Sequence, residues 1–241
     1  CKNLIYYVIK KVIISVTNDL ANDQRVKKVC DTLFQNNFNI TLVGRQLEHS
    51  LNINRPYSVV RFKLFFNKGV LFYMEYNLRL FFFLLNRRFD IYHSNDLDTL
   101  LPMWLSAFIF NKKLVYDSHE YFTGVPEIQN RYFVKKVWSS IESFIFPKLK
   151  HVFTVNESIS DLYYKDYQIR PLVIRNLPTK TIMKKVKTKK DLGLPQDKKL
   201  VILQGSGINI DRGAEELLEA ISLQDDFFLC VVGTGDVIEK L

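Results

Sequence analysis

Cysteine is scarce and unpatterned in this chain. Its 241 residues include three, Cys1, Cys30 and Cys230, an odd number at wide spacing with no Cys-x-x-Cys. That argues against a disulfide framework or a cysteine-held zinc and for a reducing compartment. Long hydrophobic runs are missing too. Residues 4–9 are apolar but far too short to span a bilayer or form a signal-peptide core. The first strand-to-helix turn lacks Gly-x-Gly-x-x-Gly, which counts against a dinucleotide site there and so against an oxidoreductase. No internal repeat stands out, and no carboxylate pair of the hydrolase type is evident. The sequence opens on Cys rather than Met and stops inside what reads as a new helix, residues 236–241. The expectation is a piece of a longer protein, cut short at its C-terminal end.

What is present is a core and an uneven charge. Hydrophobic residues make up 47% of the chain, enough to build one large or two ordinary α/β domains. The net charge is +9, but residues 1–190 hold 30 Lys and Arg against 15 Asp and Glu, whereas residues 191–241 hold 4 against 10. Such asymmetry suggests two bodies with different partners. A basic, aromatic-rich first body suits an anionic membrane surface, a polyphosphate-linked substrate or nucleic acid, or it is simply a solvated basic surface.

Periodicity organises the first body. Val12 to Val16 reads as a strand, closed by Thr17, Asn18 and Asp19. From Asp23 the period changes, and Val26, Val29, Cys30, Leu33 and Phe34 fall on one helical face with Arg25, Lys27, Lys28 and Asp31 away from it. Asn22 or Asp23 is the expected N-cap. Asn39 to Val43 is the next strand, completing a βαβ unit of a parallel sheet. Residues 46–56 read as loop and 58–63 as strand. Residues 69–85 read as an apolar, aromatic-heavy helix followed by Arg87 and Arg88. That helix either covers the sheet or offers an interfacial face to lipid. Further strands are expected at 90–93, 114–116, 151–155 and 172–174. Helices are expected at 97–110 and 134–146, where Pro147 stops the second, and another opens at Asn156 and Glu157. Residues 1–178 form the first domain on this reading. The lysine-rich stretch 179–198 is a linker, with a nucleic-acid arm as a rival reading. Residues 199–241 begin a second α/β unit: strand 199–203, helix 214–221, strand 227–232.

Polar residues recur where strands end. Asp19, Arg45, Asn95 and Asp96, Asp117 to His119, Asn156 and Glu157, and Arg175 and Asn176 each follow a strand. In a parallel sheet these turns share one rim, where ligands bind beyond the carboxyl ends. Any one of them could be only a cap or turn residue. Within 113–127 the strand runs into Asp117, Ser118, His119 and Glu120, then Tyr121 and Phe122 and a Gly-Val-Pro turn. His119 can donate, accept or change charge near neutrality. It and Asp117 could equally tie down the loop. Asp19, Asp23, Arg25, Asp96, Asp117, Glu120, Arg175 and Asn176 are the cleft candidates around it. In the second body, Gly205 and Gly207 allow close backbone approach, and the helix behind them presents unpaired N–H groups. Arg212 at its start brings a guanidinium fork matched to phosphate oxygens. Gly233 and Gly235 form a second glycine loop on the same rim, either a ligand contact or a tight turn.

Taken together, these stretches resemble the family-4 retaining glycosyltransferases of the GT-B fold, particularly bacterial ones. The resemblance rests on 16–26 (Val-Thr-Asn-Asp-Leu-Ala-Asn-Asp-Gln-Arg-Val), 93–100 (His-Ser-Asn-Asp-Leu-Asp-Thr-Leu), 116–122 (Tyr-Asp-Ser-His-Glu-Tyr-Phe), 173–178 (Val-Ile-Arg-Asn-Leu-Pro), 204–213 (Gln-Gly-Ser-Gly-Ile-Asn-Ile-Asp-Arg-Gly) and 232–236 (Val-Gly-Thr-Gly-Asp). It implies an α/β protein of two Rossmann-like domains with parallel sheets, the second only partly present, the first taking the acceptor and the second a nucleotide-diphosphate sugar. His119 matches the family's histidine beside the donor sugar, Arg212 its basic residue on the donor diphosphate, and Gly205 the glycine ending the first donor-domain strand. The first-strand loop departs from the family's glycine-rich form, so Asp19 and Asp23 receive no role. Further donor-site groups of the family would lie beyond Leu241, so this stretch alone is expected to be inactive. No metal, no other cofactor and no nucleic acid are expected. The acceptor implied is a cell-surface glycan or lipid-linked precursor, and the expected place is the cytoplasm, with peripheral contact at the inner face of the membrane. Two other readings remain open: a sugar-nucleotide epimerase of the same fold, and a non-catalytic basic module that binds membrane or polyanion.

Overall fold

The computed structural model describes residues 9–21, 23–178, 180, 186–205, 207–210 and 212–240. Cys1, the apolar run at residues 4–8, the alternative cap Asn22, Lys184 and Lys185, and Ser206, Asp211 and Leu241 lie outside the described residues. The chain forms two compact units, one through Leu177 and one from Pro178.

The first unit is a seven-stranded sheet, all of it parallel among the described residues. Its strands are β1 (Lys11–Asp19), β2 (Asn39–Gln46), β3 (Ser58–Lys63), β4 (Ile91–Asn95), β5 (Lys113–Ser118), β6 (Val152–Thr154) and β7 (Leu172–Val173), in the order β3-β2-β1-β4-β5-β6-β7. The chain runs outward from β1 to β3, returns to the other flank of β1 as β4, and continues away. The order therefore reverses between β1 and β4, where a parallel sheet opens a crevice at its carboxyl edge. Val12 sits opposite Ile40 on one side and Ile91 on the other, so three strands enter the core in step.

Alternation divides the core. Val12, Ile14 and Val16 face one side of the sheet and pack on Val26 and Cys30 of α1 (Gln24–Gln35). Ile13 faces the other side and joins Tyr76, Leu80 and Leu84 of α2 (Gly69–Leu85) and Met103 of α3 (Leu100–Ile109). Asp23 is the cap of α1: its Oδ1 accepts the Val26 N–H at 3.0 Å. Loss of such a cap costs about 1 kcal/mol. The helix expected from 97 begins as a 3-10 turn, Leu97–Thr99, because Asp96 enters it at φ 60°, ψ 170°, and α-helical bonding starts only at Leu100. After the short α4 (Pro126–Gln129), α5 (Tyr132–Ile145) ends ahead of Pro147, which sits in a 3-10 turn. Asn156 caps α6 (Glu157–Tyr167), its Oδ1 accepting the Ile159 N–H at 2.9 Å.

The second unit pairs β8 (Lys199–Gly205) and β9 (Phe227–Gly233) in parallel, joined through α7 (Ala214–Ser222). The helix expected at 236–241 is a 3-10 turn, Ile238–Lys240. The stretch read as linker contains another, Lys190–Leu192.

Candidate functional site

Charge is concentrated where β1, β4 and β5 end. Asp96 follows β4 in a backbone region that only glycine occupies freely, a strain of order 1–3 kcal/mol. That geometry turns its carboxylate toward the end of β5. Oδ1 accepts the His119 backbone N–H at 2.8 Å, and Oδ2 stands 2.8 Å from His119 Nδ1. The Asp96 N–H donates to the Asp117 carbonyl at 2.9 Å, lacing the two strand ends. His119 is thereby fixed with its Nδ1–H on a carboxylate, while its buried Nε2, 3.9 Å from Asp117 Oδ2, has no hydrogen-bond partner among the described residues. Burial disfavours the imidazolium, but the Asp96 charge and hydrogen bond outweigh it, and the pKa lies above the ordinary histidine value.

Behind the dyad, Asp117 pairs with Arg25 from the first turn of α1. Burial alone would raise the Asp117 pKa. His93, Arg25 and His119 around it more than offset that and bring it to about 2. His93 Nε2 is 3.9 Å from Asp117 Oδ2, beyond hydrogen-bond reach, so its pull is electrostatic. Asp98 is the opposite case. Burial, then repulsion from Asp96, pushes its carboxyl up to about 7, even though Thr17 donates to Oδ2. Its Oδ1 has no hydrogen-bond partner among the described residues. Two buried carboxyls, one just after β4 and one in β5, are thus held apart in protonation by their neighbours.

The other candidates divide. Asp19 is occupied: it accepts from the Ala21 N–H at 3.1 Å and Ser50 Oγ at 2.6 Å. Asp23 caps α1 and accepts from Asn18. Glu120 takes a bond from Ser118 Oγ at its carbonyl, 2.7 Å. Arg175 is exposed, and Asn176 Oδ1 accepts from Lys28 Nζ at 3.2 Å, which straps the segment after β7 over α1. Arg25, His93, Asp117, Arg175 and Asn176 line the polar end of a groove of about 400 Å³ whose floor is apolar. His93 and Asp98 were not among the sequence candidates. Both lie in the stretch 93–100, where polar residues cluster at and just after the end of a strand, and that clustering was the available signal.

In the second unit the glycines do different things. A β-carbon on Gly233, at φ 147°, would overlap the Gly205 carbonyl, and one on Gly235 would overlap that of Ile208. The two loops are knit by Thr234 N–H to Gly205 O (3.1 Å) and Ile208 N–H to Thr234 O (2.9 Å). Gly233 and Gly235 are therefore needed for loop-to-loop packing. Gly207 has open space around it, and Gly213, at φ 85°, starts α7. Arg212 is exposed beside that N-terminus, whose first turn carries Glu215 and Glu216. That first turn therefore sets two carboxylates beside the helix N–H groups, with a guanidinium next to them. Ser206 and Asp211, also in this stretch, lie outside the described residues.

A reversed parallel sheet with a tuned carboxyl-edge crevice, followed by a second β-α-β unit opening on a glycine turn, defines an α/β fold of the GT-B type, the architecture of glycosyltransferases. The chain belongs to Glycosyltransferase Family 4, whose profile matches residues 24–178. No curated protein matches it significantly. Among solved structures, sucrose-phosphate synthase from Thermosynechococcus elongatus aligns with a TM-score of 0.69 at 14% identity, over 94% of this chain and 63% of that one. A glycosyltransferase from Rickettsia africae ESF-5 aligns at 0.57 and 15%, over 97% and 62%. A provisionally named UDP-N-acetylglucosamine 2-epimerase from Listeria monocytogenes aligns at 0.55 and 14%, over 95% and 64%. The chain thus spans just under two thirds of the length of these structures, and at such identities the likeness is one of fold. No helix among the described residues is long and apolar enough to cross a membrane.

Proposed function

We propose that the protein transfers a sugar from a nucleotide-diphosphate sugar to an acceptor hydroxyl with retention of anomeric configuration. The observation that carries the reading is the Asp96–His119 dyad, inside the family-matched region at the carboxyl edge of the sheet. Its Nε2 is buried, 3.9 Å from Asp117 Oδ2, and makes no hydrogen bond among the described residues, so a side-chain shift that opens it to the crevice would let it bond a sugar hydroxyl near the anomeric carbon, with Asp96 fixing which nitrogen that is. In transfer, the bond between the anomeric carbon and the diphosphate oxygen breaks, and its electron pair goes to the phosphate. The acceptor oxygen forms the new bond and its proton passes to the leaving phosphate. Stabilising that phosphate is the task given to Arg212 and the start of α7. The names of the structural relatives, one of them containing a UDP-sugar, support a nucleotide-sugar donor. The proposed acceptor is a cell-surface glycan or lipid-linked precursor, met at the cytoplasmic face of a membrane that the basic first unit approaches. No metal has a role in this scheme.

An epimerase of the same fold is the second reading, because one such enzyme is among the structural relatives. Incubating the full-length protein with nucleotide sugars, with and without acceptor, separates the two. Transfer gives a glycosylated acceptor with the donor's anomeric configuration. An epimerised sugar released without acceptor would replace that reading. Removing the Arg212 guanidinium should cost about 1.5–3 kcal/mol of donor binding, roughly ten- to hundredfold.

A further inference from the structure

Among the described residues, nothing covers the outer face of α2. Its inner side, Phe72, Tyr76, Leu80 and Leu84, is buried on the sheet. Half a turn away, Val70, Met74, Leu78 and Phe82 form a second stripe at intervals of four, each more than half exposed. A helix apolar on both sides is expected to be covered on both sides. The stripe continues: exposed Phe65 and Phe66 precede the helix, and Phe108 and Ile109 lie at the end of α3. The two helix ends are neighbours, since Arg88 after α2 lies over the ring of Phe110 after α3, 3.8 Å from its centre.

Cations rim this patch with their charged ends over aromatic rings. Arg87 lies 4.0 Å over Phe83, and Lys148 lies over both Phe144 and Trp104. Trp104 in turn stacks on exposed Phe108. The carboxylate on the helix, Glu75, is neutralised by Arg79 at 2.8 Å and by the N–H groups of Phe65 and Phe66. Exposed aromatics and aliphatics ringed by Arg and Lys are what a bilayer interface accommodates. A second copy of the chain would bring like charge against like, whereas an anionic lipid surface would attract it.

The geometry points to the outer face of α2, extended by the ends of α3 and α5, as the surface by which this unit rests on an anionic membrane. It goes beyond the transfer reading by assigning a docking face, and its test uses no nucleotide sugar, so either can fail alone. The protein is sedimented with vesicles of phosphatidylcholine with and without about 30% phosphatidylglycerol. The expected result is binding that needs the anionic lipid and weakens with salt. Combining M74E, L78E and F82E should lower partitioning at least about tenfold with an unchanged circular dichroism spectrum, since these side chains point away from the core. In the W138F variant, Trp104 emission should be quenched by brominated lipid. Three results would overturn the assignment: equal binding by the triple variant, an unquenched Trp104, or a dimer of the parent protein that the triple variant breaks.

Discussion

The two units place functional groups by different means. In the first, every chemically interesting side chain is held by another one distant in sequence: His119 by Asp96, Asp117 by Arg25 and His93, Asp98 by Thr17. In the second, the shape of the glycine turns comes from backbone on backbone, Gly233 against Gly205 and Gly235 against Ile208. A side-chain network tunes charge and is sensitive to pH. A backbone turn offers N–H groups and is sensitive to added volume. On the proposed reading, the first serves the sugar and the second the phosphates.

Substitutions can break either half of this contrast. The largest effect is expected for D117N. It leaves the Arg25 guanidinium in a buried site without its counter-charge, and losing one partner of a buried pair costs about 3–5 kcal/mol. Denaturant unfolding of the first unit would show it, and a loss within 1 kcal/mol would mean the pair is effectively solvated. Next is G233A. Strain at φ 147° plus overlap with the Gly205 carbonyl should cost on the order of 3 kcal/mol in the second unit, whereas G207A should cost less than about 1 kcal/mol. Equal effects at 207 and 233 would erase the distinction between open and packed turns.

The pH response sharpens the comparison because the groups of the first unit oppose one another. Asp117, with a lowered pKa, stabilises above the ordinary carboxyl value, and that contribution is lost as pH falls from about 4 through about 2. His119, with a raised pKa, stabilises below the ordinary histidine value, and that is lost as pH rises through its folded value. Asp98, held up at about 7, stays protonated when folded while the unfolded chain ionises, so it erodes stability between about 4 and 7 by a few kcal/mol. D98N should remove that slope and leave stability flatter across the range. A curve of unchanged shape would contradict the burial assigned to Asp98. The smallest expected effect is that of D96N, which removes the charge that raises the His119 pKa and should bring it down, read by NMR of the imidazole carbons; an unchanged titration would contradict the dyad.

Much of the fold was legible in the sequence. The helix at 69–85 and the strand at 58–63 have the bounds that periodicity and turn residues suggest, because both are long, strongly patterned segments. The turns after strands fall on one edge because the strands are parallel, which follows from the βαβ alternation. The site was only half legible. His119 could be singled out as a titratable group at a strand end, but nothing local says that Asp96 grips it or that Arg25 reaches Asp117 across 92 residues. His93 and Asp98 escaped because a strand residue and a helix-turn residue look structural until the fold brings them against Asp117 and Thr17. Gly233 and Gly235 could be read as either ligand contacts or a turn, and only the carbonyls of Gly205 and Ile208 show what their missing β-carbons leave room for.

The most direct test is donor binding and single-turnover transfer in the full-length protein carrying H119A or R212A. The account predicts that R212A weakens nucleotide-sugar binding tenfold or more. H119A should leave binding within about threefold while slowing transfer about a hundredfold or more. If both variants bound and transferred as the parent does, neither residue would serve the reaction and the account would be wrong.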